Sequence, residues 1–136
     1  MARVDYKRDS EKFTLPKEHA EVTATTTLKL YKVPAGRTLR LDRASYINVT
    51  GLAGHATDAF AGTVQNASTV VATLFNTDTG DAGGASLTAN TFVEGVLSAT
   101  DASRVFVAGD IVSLVLTEDG TATLPAGTLV LEGRLF

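Results

Sequence analysis

"VPAGRTLRL" occupies Val33–Leu41, and "LPAGTLVLEG", at Leu124–Gly133, nearly repeats it. A looser copy, "VAGDIVSLVL", lies between them at Val107–Leu116. In each, a short turn leads into a run whose apolar residues recur at every second position: Leu39 and Leu41, then Val112, Leu114 and Leu116, then Leu129 and Leu131. Period two is the mark of a strand with one buried face. Proline at the second position of Val33–Gly36 and glycine at the fourth predict a type I turn. The copies are too unevenly spaced for a solenoid or propeller, so they read as corners that carry strands between two sheets. Ile111 and Val115 add apolar residues to the other face of the middle run, which predicts burial on both sides.

The rest of the chain follows the same pattern. Val22–Val33 is threonine-rich and then alternates, and Arg37–Thr50 is a long alternating run. In that run Leu39, Leu41, Ile47 and Val49 share a parity that Arg43 and Ser45 also occupy, so a bulge near 43–46 would turn Ala44 and Tyr46 inward. Phe60–Gln65 and Thr69–Phe75 form a hairpin around Asn66-Ala67-Ser68. "TFVEGVLS" is a further strand, and Thr100–Ser103 is a polar turn. The expected fold is all-β: a single-domain antiparallel β-sandwich, jelly-roll-like, of about eight strands.

Residues 1–21, "MARVDYKRDSEKFTLPKEHAE", lack a sustained period and carry five Lys/Arg and five Asp/Glu. They divide the chain into an N-terminal segment, 1–21, and a β-sandwich domain, 22–136. The segment is either a solvated tail or an extended arm that orders on another chain. As an arm it would offer Arg3, Lys7, Arg8, Lys12 and Lys17 to carboxylates, with Tyr6 and Phe13 as apolar anchors.

Chemistry is scarce. The chain of 136 residues has no cysteine, which removes disulfides, thiolate metal sites and thiol nucleophiles. His19 and His55 have no second ligand at metal spacing, no Gly-x-Ser-x-Gly elbow occurs, and Asn76, Asp78 and Asp81 lack the closing glutamate of a calcium loop. Glu94, Glu118 and Glu132 could act as a hydrolase pair only if two met in a cleft. The reading is of a protein that is not an enzyme and takes no cofactor or metal. A net charge of −3 argues against nucleic acid as a direct partner. No apolar stretch follows the first basic residues and none is long enough for a bilayer, which implies a chain made in the cytoplasm with no membrane partner.

The stretch from Val33 to Leu52, with "TANTFVEGVLSATDASRVFVAGDIVSLVLTEDGTATLPAGTLVLEGRLF" at 88–136, resembles head decoration (cement) proteins of tailed bacteriophages. That resemblance implies a structural virion protein on the capsid exterior. It would bind the phage major capsid protein, bridge its subunits and stabilise the shell, as a homo-oligomer, dimer or trimer. The alternative is a carbohydrate- or receptor-binding β-sandwich module of a tail fibre or spike. Such a module would bind through loops 51–62 and 76–86.

Overall fold

The structure, a computed structural model, describes residues 10–136. Its strands are β1 (Glu11–His19), β2 (Thr26–Lys32), β3 (Leu39–Asn48), β4 (Ala59–Asn66), β5 (Thr69–Asn76), β6 (Val93–Glu94), β7 (Val96–Leu97), β8 (Val105–Phe106), β9 (Ile111–Asp119) and β10 (Gly127–Leu135). The polar turn after residue 100 is a short 3-10 helix, Asp101–Arg104. One sheet runs β1-β10-β3-β6, with β8 also on β3; the other runs β2-β9-β4-β5-β7. The pairing is nested. The first strand pairs with the last, the second with β9, the third with β6 and β8, and the fourth with the fifth, all antiparallel. A long hairpin rolled up on itself gives this order, which is the jelly roll.

The three copies mark crossings between the sheets. Val33–Thr38 joins β2 to β3, Val107–Asp110 joins β8 to β9, and Leu124–Ala126 leads from β9's sheet into β10. The turns themselves differ from expectation. The Arg37 N–H donates to Pro34 O (3.2 Å) and Gly36 has φ +74°, so the turn is type II with Gly36 at its third position. In the middle copy the Asp110 N–H donates to Val107 O (3.0 Å) and Gly109 has φ +89°. These two turns lie side by side, joined by Val33 N–H to Asp110 O and Gly109 N–H to Val33 O. The third copy makes no such turn. Leu124 bridges Val22, and the chain runs straight on into β10.

Between the sheets Leu39, Leu41, Leu114, Leu116, Leu129 and Leu131 are fully buried with Tyr46, Phe60 and Phe106. Burial of such side chains is the main favourable term in folding. The bulge predicted in β3 is present, at the register shift opposite Glu132 and Gly133, and it turns Ala44 and Tyr46 inward. It also turns Val49 outward, 59% exposed. "TFVEGVLS" breaks at Gly95: Val93–Glu94 join one sheet and Val96–Leu97 the other, closing that side of the sandwich. On β9, Val112, Leu114 and Leu116 are buried, but Ile111 and Val115 are only half-buried, so one face of this strand meets solvent.

The N-terminal segment requires a correction. Glu11–His19 is not an arm but the first strand of the roll, paired over its whole length with Gly127–Leu135. Its sequence hides this because Pro16, Lys17 and Glu18 interrupt the apolar alternation. Those residues suit a sheet edge, where a proline costs no ladder bond and charge meets water.

Gly133 sits at the bulge, where a Cβ would collide with the Arg40 carbonyl oxygen. Gly36 has open space around the Cβ position and only its positive φ to object. Gly36→Ala should therefore cost about 1 kcal/mol. Gly133→Ala should cost more, about 2–4 kcal/mol, because the β3–β10 pairing must shift. Urea unfolding of the two variants measures the difference.

Candidate interaction surfaces

A polar relay lies at one end of the core. The His19 Nδ1–H donates to Ala20 O (2.7 Å). A carbonyl only accepts, so Nδ1 carries the proton and Nε2 accepts from the Tyr46 hydroxyl at 2.7 Å. Tyr46 Oη in turn accepts from Asn48 Nδ2 (3.1 Å), whose other proton goes to Pro125 O (2.7 Å). Asn48 Oδ1 accepts the Gly51 N–H at 2.8 Å. His19 and Asn48 both lie opposite Gly127 on β10, the strand between them. A Cβ on Gly127 would run into Tyr46 Oη and stand 2.8 Å from Ile47 O. The missing side chain is what lets β1 reach β3 across β10. His19 is thus a buried structural group.

His55 is exposed, yet its Nδ1 accepts the N–H groups of Thr57 (3.1 Å) and Asp58 (3.0 Å), shaping its own loop. That loop is joined to loop 76–86 by Leu52 with Leu87, by Gly54 N–H to Ser86 Oγ (2.8 Å) and by the His55–Asp78 bridge. Asp78 Oδ1 accepts the Gly80 N–H and Asp81 Oδ2 accepts from Asn76 Nδ2. Both carboxylates therefore serve the turn.

The two outward faces differ in charge. On the first sheet, cross-strand rows run Lys12–Arg134–Arg40, then Thr14–Glu132–Arg43, then Pro16–Val130–Ser45–Glu94. Arg43 forks onto Glu94 (2.7 and 2.9 Å) and approaches Glu132 at 3.8 Å. Arg40 approaches Asp42 (3.5 Å) and Asp101 (3.9 Å), and Asp101 also pairs with Arg104. The hydrogen bonds from Arg43 hold the Glu94 carboxyl below the usual carboxylate range. Glu94 and Glu132 do converge, but on an arginine and on an open sheet face. A general acid needs the opposite shift. The second sheet's rows run Thr27–Val115–Thr63–Thr73–Val96 and Lys29–Ser113–Gln65–Val70, so Lys29 is the one charge in them.

Of the residues expected to bind a partner, Arg3, Tyr6, Lys7 and Arg8 lie outside the described residues. Lys12 and Lys17 are exposed on β1. Phe13 is no exposed anchor: it is buried in the core, its ring 4.9 Å from that of Tyr31 on the neighbouring edge strand. Sequence reasoning missed Arg40, Arg43, Glu94, Glu132 and Arg134 as a set. Their alternation with core residues was visible, but which of them face each other depends on strand order.

No family model matches the chain, and no curated protein does. A chain in the structure of infectious bursal disease virus, Gt strain, is similar in shape, with 13% sequence identity and a TM-score of 0.35. That similarity covers 99% of this chain and 36% of the other. It assigns neither family nor role.

Burial pushes the Tyr46 hydroxyl up to about 12 from its ordinary 10.0, with the Asn48 hydrogen bond pulling the other way. Between these values the unfolded chain has released this proton and the folded one keeps it. The contribution is thus complete below pH 10 and is lost as pH rises towards 12, at about 1.4 kcal/mol per pH unit. Denaturant titrations of the native protein and Tyr46→Phe across this range should show the steeper decline in the native protein. At pH 7 the variant should be less stable by about 1–3 kcal/mol, since His19 Nε2 loses its donor.

Proposed function

We propose that this protein is a structural component of a phage virion that binds the outer surface of the capsid and bridges major capsid protein subunits. The observation that carries the reading is the mixed-charge outer face of the first sheet. Its exposed Lys12, Arg40, Arg134, Glu94 and Glu132 make a surface for another macromolecule, not an enclosure for a small one. The resemblance of residues 33–52 and 88–136 to phage decoration proteins supplies the partner, and viral shells are among the uses of the jelly roll. Mixed-sign faces give register and specificity more than raw affinity, and many weak attachments on one particle add to avidity.

Removing residues 1–20 would delete β1 along with any contact, so charge reversal is the sharper test. Emptied, matured capsids should co-sediment the full chain saturably. Arg40→Glu combined with Arg134→Glu should weaken that binding by about tenfold or more. Raising salt from about 0.1 M to about 1 M, which shortens the screening length from about 10 Å to about 3 Å, should release the native chain. A native chain that stays in the supernatant overturns the proposal, and glycan binding at loops 51–62 and 76–86 then becomes the measurement to make.

A further inference from the structure

β1 is a sheet edge: among the described residues its outer side pairs with nothing. The nine residues, "EKFTLPKEH", carry Glu11 and Lys12 near one end and Lys17 and Glu18 near the other, so each end offers both signs of charge. We propose that two copies of this chain associate edge to edge through β1, antiparallel, about a two-fold axis at Leu15. Centred there, all nine residues find partners. Lys12 of each copy faces Glu18 of the other, Glu11 faces His19, Phe13 faces Lys17, and Leu15 meets its own copy. Lys12 and Glu18 share the outer face of the sheet, so both ion pairs form in solvent between directly opposed positions, where Cβ atoms stand about 5 Å apart. A slip of one residue in one direction sets Lys12 against Lys17 and Glu11 against Glu18, like charge on like. A slip in the other sets Lys12 against His19 and Glu18 against Phe13, which loses both ion pairs.

The backbone agrees with this register. A proline within a sheet edge turns its nitrogen to solvent. Lys12, Thr14 and Glu18 share the parity of Pro16, so their N–H and C=O groups point out of the sheet along with its nitrogen. In the two-fold register these positions pair with one another: Lys12 with Glu18, and Thr14 with Pro16. The Lys12, Thr14 and Glu18 N–H groups each find a carbonyl, and only the proline lacks a donor. The two first sheets become one continuous sheet across the axis. The contact uses an edge and takes only Lys12 from the mixed-charge face; Arg40, Arg134, Glu94 and Glu132 stay open, so dimerisation does not rest on the capsid-binding reading.

The test uses the free, full chain. Sedimentation velocity over rising concentration should show a shift from the 14.2 kDa monomer towards twice that mass. Lys12→Glu and Glu18→Lys should each weaken association by about tenfold, because each sets like charges opposite at two symmetric places. The double variant, Lys12→Glu with Glu18→Lys, should regain the affinity. Circular dichroism checks that each variant keeps its fold. Charged residues and prolines also serve to keep sheet edges apart. A chain that stays monomeric at every concentration therefore overturns the proposal. So does a dimer indifferent to the single changes, or one that the double change does not restore.

Discussion

A missing side chain holds this fold shut. Because Gly127 has no Cβ, the imidazole of His19 on the first strand reaches the hydroxyl of Tyr46 on the third, over the last strand. Tyr46 Oη is at the same time tied to Asn48, and Asn48 to Pro125 and Gly51. Buried polar groups are costly unless they are satisfied, and a satisfied network fixes one arrangement against its alternatives. Here the arrangement is the closure of the roll: the bond from β1 to β3 spans β10, the last strand, which pairs with both. The ring of Tyr46 continues the link into the second sheet, 4.8 Å from that of Phe75.

The closed roll separates two surfaces of different character. Arg40, Arg43, Glu94, Glu132 and Arg134 come from three strands of one sheet, β3, β6 and β10, and the pairing of those strands alone sets them within reach of each other. The other sheet presents Thr27, Thr63, Thr73 and Val115, short and neutral. Exposed ion pairs such as Arg43–Glu94 add little to stability. Their effect lies in what they repel and accept at a distance of a few ångströms. Among the described residues the outer edge of β1, at the border of this surface, pairs with no other strand.

Much of this was legible in the sequence. The alternation of Leu39 with Leu41 and of Leu129 with Leu131 gave the strands and their buried faces, since period two leaves no other way to hide those side chains. The clash of Arg43 and Ser45 with that parity located the bulge. The repeated turns marked the crossings between sheets. Other features were not legible. From sequence the first strand reads as a tail or an arm, because an edge strand needs no apolar alternation of its own. Lys17 and Pro16 are tolerated where one side meets water. The glycine of the third copy reads as a turn residue, whereas its purpose is to make room for the hydroxyl of Tyr46, 81 positions earlier in the chain. Likewise Gly95 read as part of one strand, although it passes the chain from one sheet to the other.

The sequence by itself determined the class of fold, the positions of the core strands and the sheet crossings, because those depend on patterns a few residues long and on side-chain chemistry at each position. Only the tertiary structure decided which strands are neighbours. That choice made Glu11–His19 part of the domain, set Glu94 and Glu132 on Arg43, and left one face dense in charge and the other with Lys29 as the one charge in its central rows. The physical reason is that cross-strand contacts join residues far apart in the chain. No local pattern encodes a partner that only the closing of the roll brings near.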